Sequence, residues 1–482
     1  MKILLVEPPY KNKYPPLGLM KIASFHKSRN DEVVFYKGLK EELRSKLWDR
    51  IYIASLFTFH WEITRETILF YSNSVTSKKN IFIGGVMATL MKDIIEAEFK
   101  INVISGLLNE KGKLGIPKDE SIDCLVPDYD IINPAKNELL EYSYPLDNSY
   151  ITYATRGCIN HCDFCAVPVI EPVFSNSLSV EKQVKKIIKN FGEKRNLLLL
   201  DNNVLASECF PKIIDQIKNL GFEKGSLYRY KKHGRDIVAF RYVDFNQGMD
   251  ARLLTEEKMK MLSEISIKPL RIAFDHISLE KIYVKKVRLA AEYGIKYLSN
   301  YILFNYKDTP EDFYRRLEIN IELNEEFQKK GLNTRIHSFP MKYVPVSGPH
   351  SITRRNVGPN WNKRYLRSIQ CILGVTHGVV SPRKDFFHAA FGKDVNEFKE
   401  ILFLPDEYIL YRRKNESNGN VRKLHLEINK LSDPDRQCFF NILFNHDKFT
   451  QITTDNHRLA GLFNLYKELR KYFPKHVQFS LF

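Results

Sequence analysis

Long apolar runs are missing from this sequence. The longest, such as Ile3 to Val6 and Leu197 to Leu200, are strand-sized and far short of the roughly 18 residues a membrane-spanning helix needs. Cysteine is scarce too, with seven in 482 residues, an odd number too small for a disulfide framework. No small-residue cleavage site follows the N-terminal Met1-Lys-Ile-Leu-Leu-Val-Glu-Pro-Pro, which reads as a strand entering a turn. These absences lead us to expect a cytoplasmic protein with no membrane partner. No G-x-G-x-x-G follows the first strand, which argues against a dinucleotide, and no internal repeat or low-complexity tract occurs. Disorder as the main state is excluded by a hydrophobic content of 44%, and the length suits two to four domains. Anionic excess is absent: 74 Lys+Arg against 57 Asp+Glu give a formal net charge of +17. A pI near 9.3 makes nucleic acid or another anion a candidate partner.

Residues 1–145 alternate short β-rich runs with helical stretches, the pattern of a parallel sheet covered by helices. Expected strands are Ile3–Val6, Val33–Tyr36, Ile51–Leu56, Ile81–Ile83 and Asn102–Ser105; expected helices are Leu17–Ser28, Glu62–Ser74 and Ala88–Ala97. This is a doubly wound, Rossmann-like unit, whose ligands bind at the carboxyl ends of the strands. A Pro-, Asp- and Tyr-rich linker runs from Pro127 to Pro145. The alternation resumes over 146–345, with six expected strands and helices between them, which would form a partial (β/α)6 barrel with its chemistry at the strand C-termini. Residues Glu223 to Arg241, with Tyr228, Arg229, Tyr230, Lys231, Lys232, His233 and Arg235, read as an inserted basic loop. Residues 346–482 read as a mainly helical, basic domain. Residues 351–482 carry 22 Lys+Arg and 13 Asp+Glu, so +9 of the +17 lies there.

Three cysteines decide the chemistry. Thr155-Arg-Gly-Cys158-Ile-Asn-His-Cys162-Asp-Phe-Cys165 has the spacing C-x3-C-x2-C and sits where the first barrel strand should end. Three thiolates on one short loop can hold three irons of a [4Fe–4S] cube and leave the fourth open to a small molecule. Arg156-Gly157 lets the loop turn sharply, and Phe164 can shield the cluster from water. Zinc with His161 as fourth ligand and a chance group of thiols are the alternatives, although no second cysteine pair supports zinc.

With Phe164 before Cys165, the motif C-x3-C-x-aromatic-C is matched residue for residue, and the sequence resembles the radical S-adenosylmethionine superfamily. The resemblance implies a partial β/α barrel, a [4Fe–4S] cluster on Cys158, Cys162 and Cys165, and S-adenosylmethionine chelated to the open iron. It further implies reductive cleavage to a 5′-deoxyadenosyl radical, and a reductant such as flavodoxin or ferredoxin. The N-terminal part is similar to the B12-binding domain of one subgroup, through Glu7-Pro-Pro, Tyr14-Pro-Pro-Leu-Gly-Leu, Ser55 to Trp61 and Gly84-Gly85. It departs at the first loop, where Glu7-Pro-Pro-Tyr-Lys-Asn replaces the cobalt-ligating D-x-H-x-x-G; His26 lies in a helical run and reads as an ordinary histidine. Cobalamin would then be bound without a histidine ligand or not at all.

Polar clusters fall at the expected strand ends. Asp201, Asn202 and Asn203 stand where the family places the segment that holds the methionine amino group, without its usual Gly-Gly-Glu. Asn246, Gln247, Asp250 and Arg252 resemble an Asn-Gln-Gly-x-Asp-Ala-Arg stretch of B12-type members; Arg252 could pair with the methionine carboxylate or, more plainly, with Asp250 or Asp275. Asp275 and Asn300 complete the candidate cofactor set, and His276 and His337 read as ordinary histidines. Cys209, Cys371 and Cys438 read as small core residues, with Cys371 a conceivable substrate-facing thiol. Arg354-Arg355, Lys363-Arg364 with Arg367, and Arg412-Arg413-Lys414 interleave with Trp361, Tyr365 and Tyr411, a pattern suited to phosphate contacts and base stacking or to a solvated face. The expected function is a radical S-adenosylmethionine enzyme, cobalamin-dependent and methyltransferase-like. The alternatives are an RNA-modifying enzyme without cobalamin and a non-catalytic, metal-containing nucleic-acid binder.

Overall fold

The computed structural model describes residues 1–482 except 118, 120, 121, 177, 233, 446–453, 455 and 467–482. The chain divides into two compact units, one of Met1–Arg271 with Val344–Asn356, the other of Ile272–Tyr343 with the described residues from Val357 onward.

In the first unit, β1 (Lys2–Glu7), β2 (Glu32–Lys37), β3 (Arg50–Ser55), β4 (Ile81–Gly85) and β5 (Asn102–Ile104) form one parallel sheet in the order β2-β1-β3-β4-β5. Ile3 to Val6 are all buried, because a parallel strand with helices on both faces has no solvent side. Leu4, Val6, Ile51, Ile53, Ile81 and Ile83 pack with Trp61, Ile68 and Tyr71 of the helix Trp61–Tyr71. The strand order reverses between β1 and β3, which places a ligand crevice at the carboxyl ends of those two strands. The expected helix Ala88–Ala97 is broken at Met91 into Val86–Leu90 and Lys92–Phe99.

The same unit continues with β6 (Ser149–Thr152) and a short antiparallel pair, β7 (Thr155–Arg156) with β8 (Ser175–Asn176). Parallel β9 (Asn196–Leu199) pairs with β6 and, later in the chain, with β12 (Val243–Phe245). The helices Val180–Phe191 and Phe210–Asn219 bury Val184, Ile187, Ile213 and Ile217 at helical spacing. The segment Glu223 to Arg241 is not a loop. It forms an antiparallel hairpin of β10 (Leu227–Lys232) and β11 (Arg235–Phe240), with Arg229 opposite Val238, because Leu-Tyr-Arg-Tyr and Ile-Val-Ala-Phe alternate on either side of a glycine turn. His233 of that segment lies outside the described residues. β13 (Leu270–Arg271) follows; its Arg271 carbonyl accepts from the Met249 amide.

In the second unit, β14 (Tyr297–Phe304) and β15 (Arg335–Lys342) pair in parallel over eight residues. Between them the helix Pro310–Lys329 opens on a capping box, in which Thr309 accepts from the Asp312 amide and Asp312 accepts from the Thr309 amide. Buried Arg316 of that helix donates to Asp308 at 2.9 Å and to the Phe274 and Asp275 carbonyls. The described chain from Lys363 is mainly helical, as expected, and packs Ile369, Phe387, Phe398, Leu402, Phe439 and Phe463 into one core. Residues 467–482 of the expected C-terminal domain lie outside the described residues. The fold is α/β, as expected from the sequence, with a doubly wound N-terminal sheet, helix-separated parallel strands and a helical C-terminal stretch. Among the described residues no helix is long and apolar enough to cross a membrane.

Candidate active site

Cys158, Cys162 and Cys165 lie on the excursion between β7 and β8, beside the carboxyl ends of β6 and β9. All three thiols are partly exposed and free of disulfides. Cys158 Sγ accepts from the Asn160 amide and from Asn203 Nδ2, both at 3.4 Å, and Cys165 Sγ accepts from the Val167 amide at 3.5 Å. Such N–H donors are the outer hydrogen bonds that orient and tune a metal-ligating sulfur. Among the described residues no three His, Cys, Asp or Glu side chains form a group ready to hold a single metal ion. A cubane makes a different demand, since each of its thiolates binds its own iron. Three accessible thiols on one loop, with amides aimed at sulfur, fit that demand.

The loop is shaped by residues outside the motif. Gly157 has φ +73°, and a Cβ there would collide with the Val173 carbonyl and lie 3.0 Å from that of Glu171. The buried Glu171 carboxylate accepts from the Gly157 amide (2.7 Å), Arg156 Nη1 (2.9 Å) and Asn202 Nδ2 (2.8 Å). Arg156 also donates to Asp123 at 3.1 Å and lies over the Tyr153 ring, 3.5 Å from its centroid. Asp123 in turn pairs with the buried Lys21 ammonium. Burial alone would raise the Asp123 carboxyl, but Arg156 and Lys21 outweigh it and hold it below the usual carboxylate range. Sequence reading missed Glu171 and Asp123; nothing in the motif's spacing announces partners 6 residues after its last cysteine and 35 before its first.

The structure places the expected cofactor residues in several ways. Asp201 is fully buried, and its carboxylate accepts from the Ala154 amide and from the Thr155 amide (2.6 Å) and hydroxyl (2.7 Å), so it braces the start of the cysteine loop. Burial pushes its carboxyl up to about 6. Asn202 meets Glu171 and Asn203 meets Cys158; Asn203 Oδ1 is buried with no hydrogen-bond partner. Asn246 is buried and accepts from the Tyr14 hydroxyl at 2.9 Å, while Gln247 is exposed. Asp250 accepts from Asn160 Nδ2 of the cysteine loop at 3.0 Å and from Arg252 Nε (2.9 Å) and Nη2 (2.7 Å), the plainer of the two pairings expected for Arg252. The structure thus joins Cys158, Asn160, Asn203, Asp250 and Arg252 in one hydrogen-bonded group, while Asn202 meets the base of the same loop through Glu171. Asp275 and Asn300 belong to the second unit: the Asp275 carbonyl accepts from Arg316, and buried Asn300 donates to the Tyr283 hydroxyl at 2.9 Å.

At the carboxyl edge of the N-terminal sheet, Glu7 occupies the position where a cobalt-ligating motif would start. It is buried and pairs with Lys37 (2.8 Å), Asn12 and Tyr144. Two buried polar atoms on that edge lack a hydrogen-bond partner, His60 Nδ1 after β3 and Ser105 Oγ after β5. Burial lowers the His60 imidazole to about 4, so it is neutral near pH 7, and it stacks on Tyr10 at 4.6 Å. A polar ligand at this edge fits those orphaned atoms; the first loop offers it no histidine.

Other expectations change. Cys371 is fully buried and its thiol is pushed up to about 12, chiefly by burial, which makes it a core residue and not a reactive thiol. Cys209 and Cys438 are exposed, contrary to expectation: Cys209 sits at a helix start, and Cys438 adjoins Phe439, which carries the buried face of its helix. His26 is a core residue held by Asp31 and Tyr52; His276 is exposed and caps a helical turn, and His337 is half-buried. The basic stretches are less available than their sequence implies. Arg364 and Arg367 both pair with buried Asp406, Arg354 lies over Phe59, and buried Trp361 donates to Asp308.

No family model and no curated protein matches the sequence. Among solved structures, the apo, selenomethionine-labelled cobalamin-dependent S-adenosylmethionine radical enzyme OxsB aligns with 96% of this chain and 83% of its own, at 13% identity and a TM-score of 0.51. The chain shares the fold of that radical S-adenosylmethionine enzyme. Two more distant likenesses accompany the one to OxsB. The radical S-adenosylmethionine methyltransferase TsrM from Kitasatospora setae, with cobalamin and a [4Fe–4S] cluster bound, covers 71% of this chain and 74% of its own at 14% identity and TM-score 0.47. SuiB of Streptococcus suis, bound to precursor peptide SuiA, covers 46% and 44% at 12% identity and TM-score 0.31.

Proposed function

We propose that the chain is a radical S-adenosylmethionine enzyme of the cobalamin-dependent type, with the cluster on Cys158, Cys162 and Cys165. The observation that carries this is the braced loop: three accessible thiols, N–H donors on two of the sulfurs, and a scaffold of Glu171, Asp201 and Gly157 that fixes their backbone. Cys158, Cys162 and Cys165 would hold a [4Fe–4S] cluster, which would supply the electron for reductive cleavage of adenosylmethionine. The protein's part is to orient and to exclude water. In this reading Asn203, beside Cys158 and with its Oδ1 unpartnered, would accept from the methionine ammonium, and half-exposed Arg252 would meet its carboxylate at the cost of loosening its pair with Asp250. Neutral His60 and Ser105 would line a cobalamin site at the edge of the first sheet.

Anaerobic reconstitution with iron and sulfide tests the reading. About four irons per chain, and 5′-deoxyadenosine formed from adenosylmethionine with reductant, are expected, and both are lost when Cys158, Cys162 and Cys165 are replaced by Ala. A chain that takes up zinc and forms no 5′-deoxyadenosine would sink it. Added cobalamin should give a corrinoid absorption that stays with the protein through gel filtration. An RNA substrate would show as tRNA binding that weakens steeply with salt.

A further inference from the structure

The second unit holds a cavity of about 350 Å³ that the proposed chemistry does not use. It lies among the ends of the helices Lys363–Val375, Lys384–Phe391, Asp406–Leu410 and Arg412–Ser417. Ile372, Val375, Ala389 and Leu410 give it apolar walls, and Arg412, Arg413 and Lys414 give it one basic end. This size is within the range of small-molecule sites, which pair apolar walls with a few polar groups.

Arg412 is the polar group of interest. Its side chain is only 10% exposed. Nη2 donates to the His388 carbonyl at 3.0 Å, Nη2 lies 3.6 Å from Glu397, and Nε lies 3.2 Å from Glu416. Nη1 is buried and has no hydrogen-bond partner. A guanidinium with an unmatched donor draws an anion to its end of the cavity. Glu397 and Glu416 balance part of the Arg412 charge, but exposed Arg413 and Lys414 restore a positive rim. Val375, 53% exposed, shows that one wall is open to an entering apolar group.

We propose that this cavity binds a small amphipathic carboxylate, with its hydrocarbon body against Val375, Ile372 and Ala389 and its carboxylate at the basic end formed by Arg412, Arg413 and Lys414. Binding at this cavity is independent of the radical chemistry proposed for the first unit. Octanoate is the probe, with octanol as its neutral counterpart, titrated calorimetrically into the full-length protein. Octanoate should bind at one site about tenfold more tightly than octanol, the worth of one charge-assisted hydrogen bond. Arg412→Met should abolish that preference while octanol affinity persists, and Ala389→Phe, which fills the cavity, should abolish binding of both. A photoreactive octanoate should label peptides spanning 409–414. Should Arg412→Met fail to fold, the wild-type preference and the Ala389→Phe loss still decide the matter. Equal affinity for the two probes, a preference that survives Arg412→Met, binding unaffected by Ala389→Phe, or no binding at all overturns the proposal. Displacement of octanoate by phosphatidylglycerol vesicles would assign the acyl group to a lipid surface and overturn the free ligand.

Discussion

Replacing Glu171 tests whether the cysteine loop is braced as the structure shows. Its carboxylate takes three hydrogen bonds, from the Gly157 amide, Arg156 and Asn202, and both Glu171 and Arg156 are largely buried. Bonds to a charged partner are worth about 1.5–3 kcal/mol each, but they are not additive in a cluster that water can enter. Removing one partner of a buried pair costs about 3–5 kcal/mol, and that range bounds Glu171→Ala. Taken as a loss of about 3 kcal/mol in local opening free energy, it corresponds to about a hundredfold faster amide exchange at Gly157. Glu171→Gln behaves differently. Its carbonyl can still accept from Gly157 and Asn202, while its NH2 faces Arg156, so Gly157 should stay largely protected and the Arg156 contact should be lost. Hydrogen exchange of peptides covering residues 153–160, with all three proteins free of iron, reads both effects. Unchanged Gly157 protection in Glu171→Ala, or equal loss in the two variants, would refute the bracing.

Gly157→Ala forces a side chain into a left-handed backbone against the Val173 carbonyl; bound iron should fall well below about four per chain, and full loading would contradict the geometry. Asp406→Ala leaves Arg364 buried without its carboxylate and should destabilise the second unit by about 3–5 kcal/mol in urea unfolding followed by circular dichroism. Burial alone would raise the Asp406 carboxyl, but Arg364 and Arg367 hold it below the usual range, so its stabilising contribution is present above that range and is lost as pH falls through the lowered value. Asp406→Asn should flatten that acid limb, and an unchanged limb would count against the assignment. Asp201 has the opposite sign: burial raises its carboxyl to about 6, so the folded state holds the proton more tightly and stability around β7 should decline as pH rises through about 6. Amide exchange at Ala154 and Thr155 between pH 5 and 7, corrected for intrinsic rates, should show this decline, and Asp201→Asn should remove it.

Much of the first sheet was legible because its strands are buried on both faces and read as continuous apolar runs between helices. The cysteine loop was legible because its spacing is local. Its brace was not: Glu171 and Asp123 matter only once tertiary folding sets them against Arg156. The hairpin Leu227–Phe240 was read as a loop because its cations hid a two-residue alternation of β-formers. Arg364 and Arg367 looked like phosphate ligands for a similar reason, since their partner Asp406 lies about 40 residues away in sequence. Exposed Cys209 and Cys438 show that a lone cysteine carries too little information to place on one side of a helix.

The β7–β8 pair bears on how iron would enter. Arg156 faces Ser175 across that pair, and Glu171 and Asp201 tie the intervening chain to its surroundings through protein atoms alone. The loop's backbone is therefore held by protein contacts of its own, unlike a zinc finger, whose fold is the metal's doing. A cluster assembling there would find its ligands already corralled, with little chain entropy left to lose, and a chelator that stripped the iron would empty a standing frame without collapsing it.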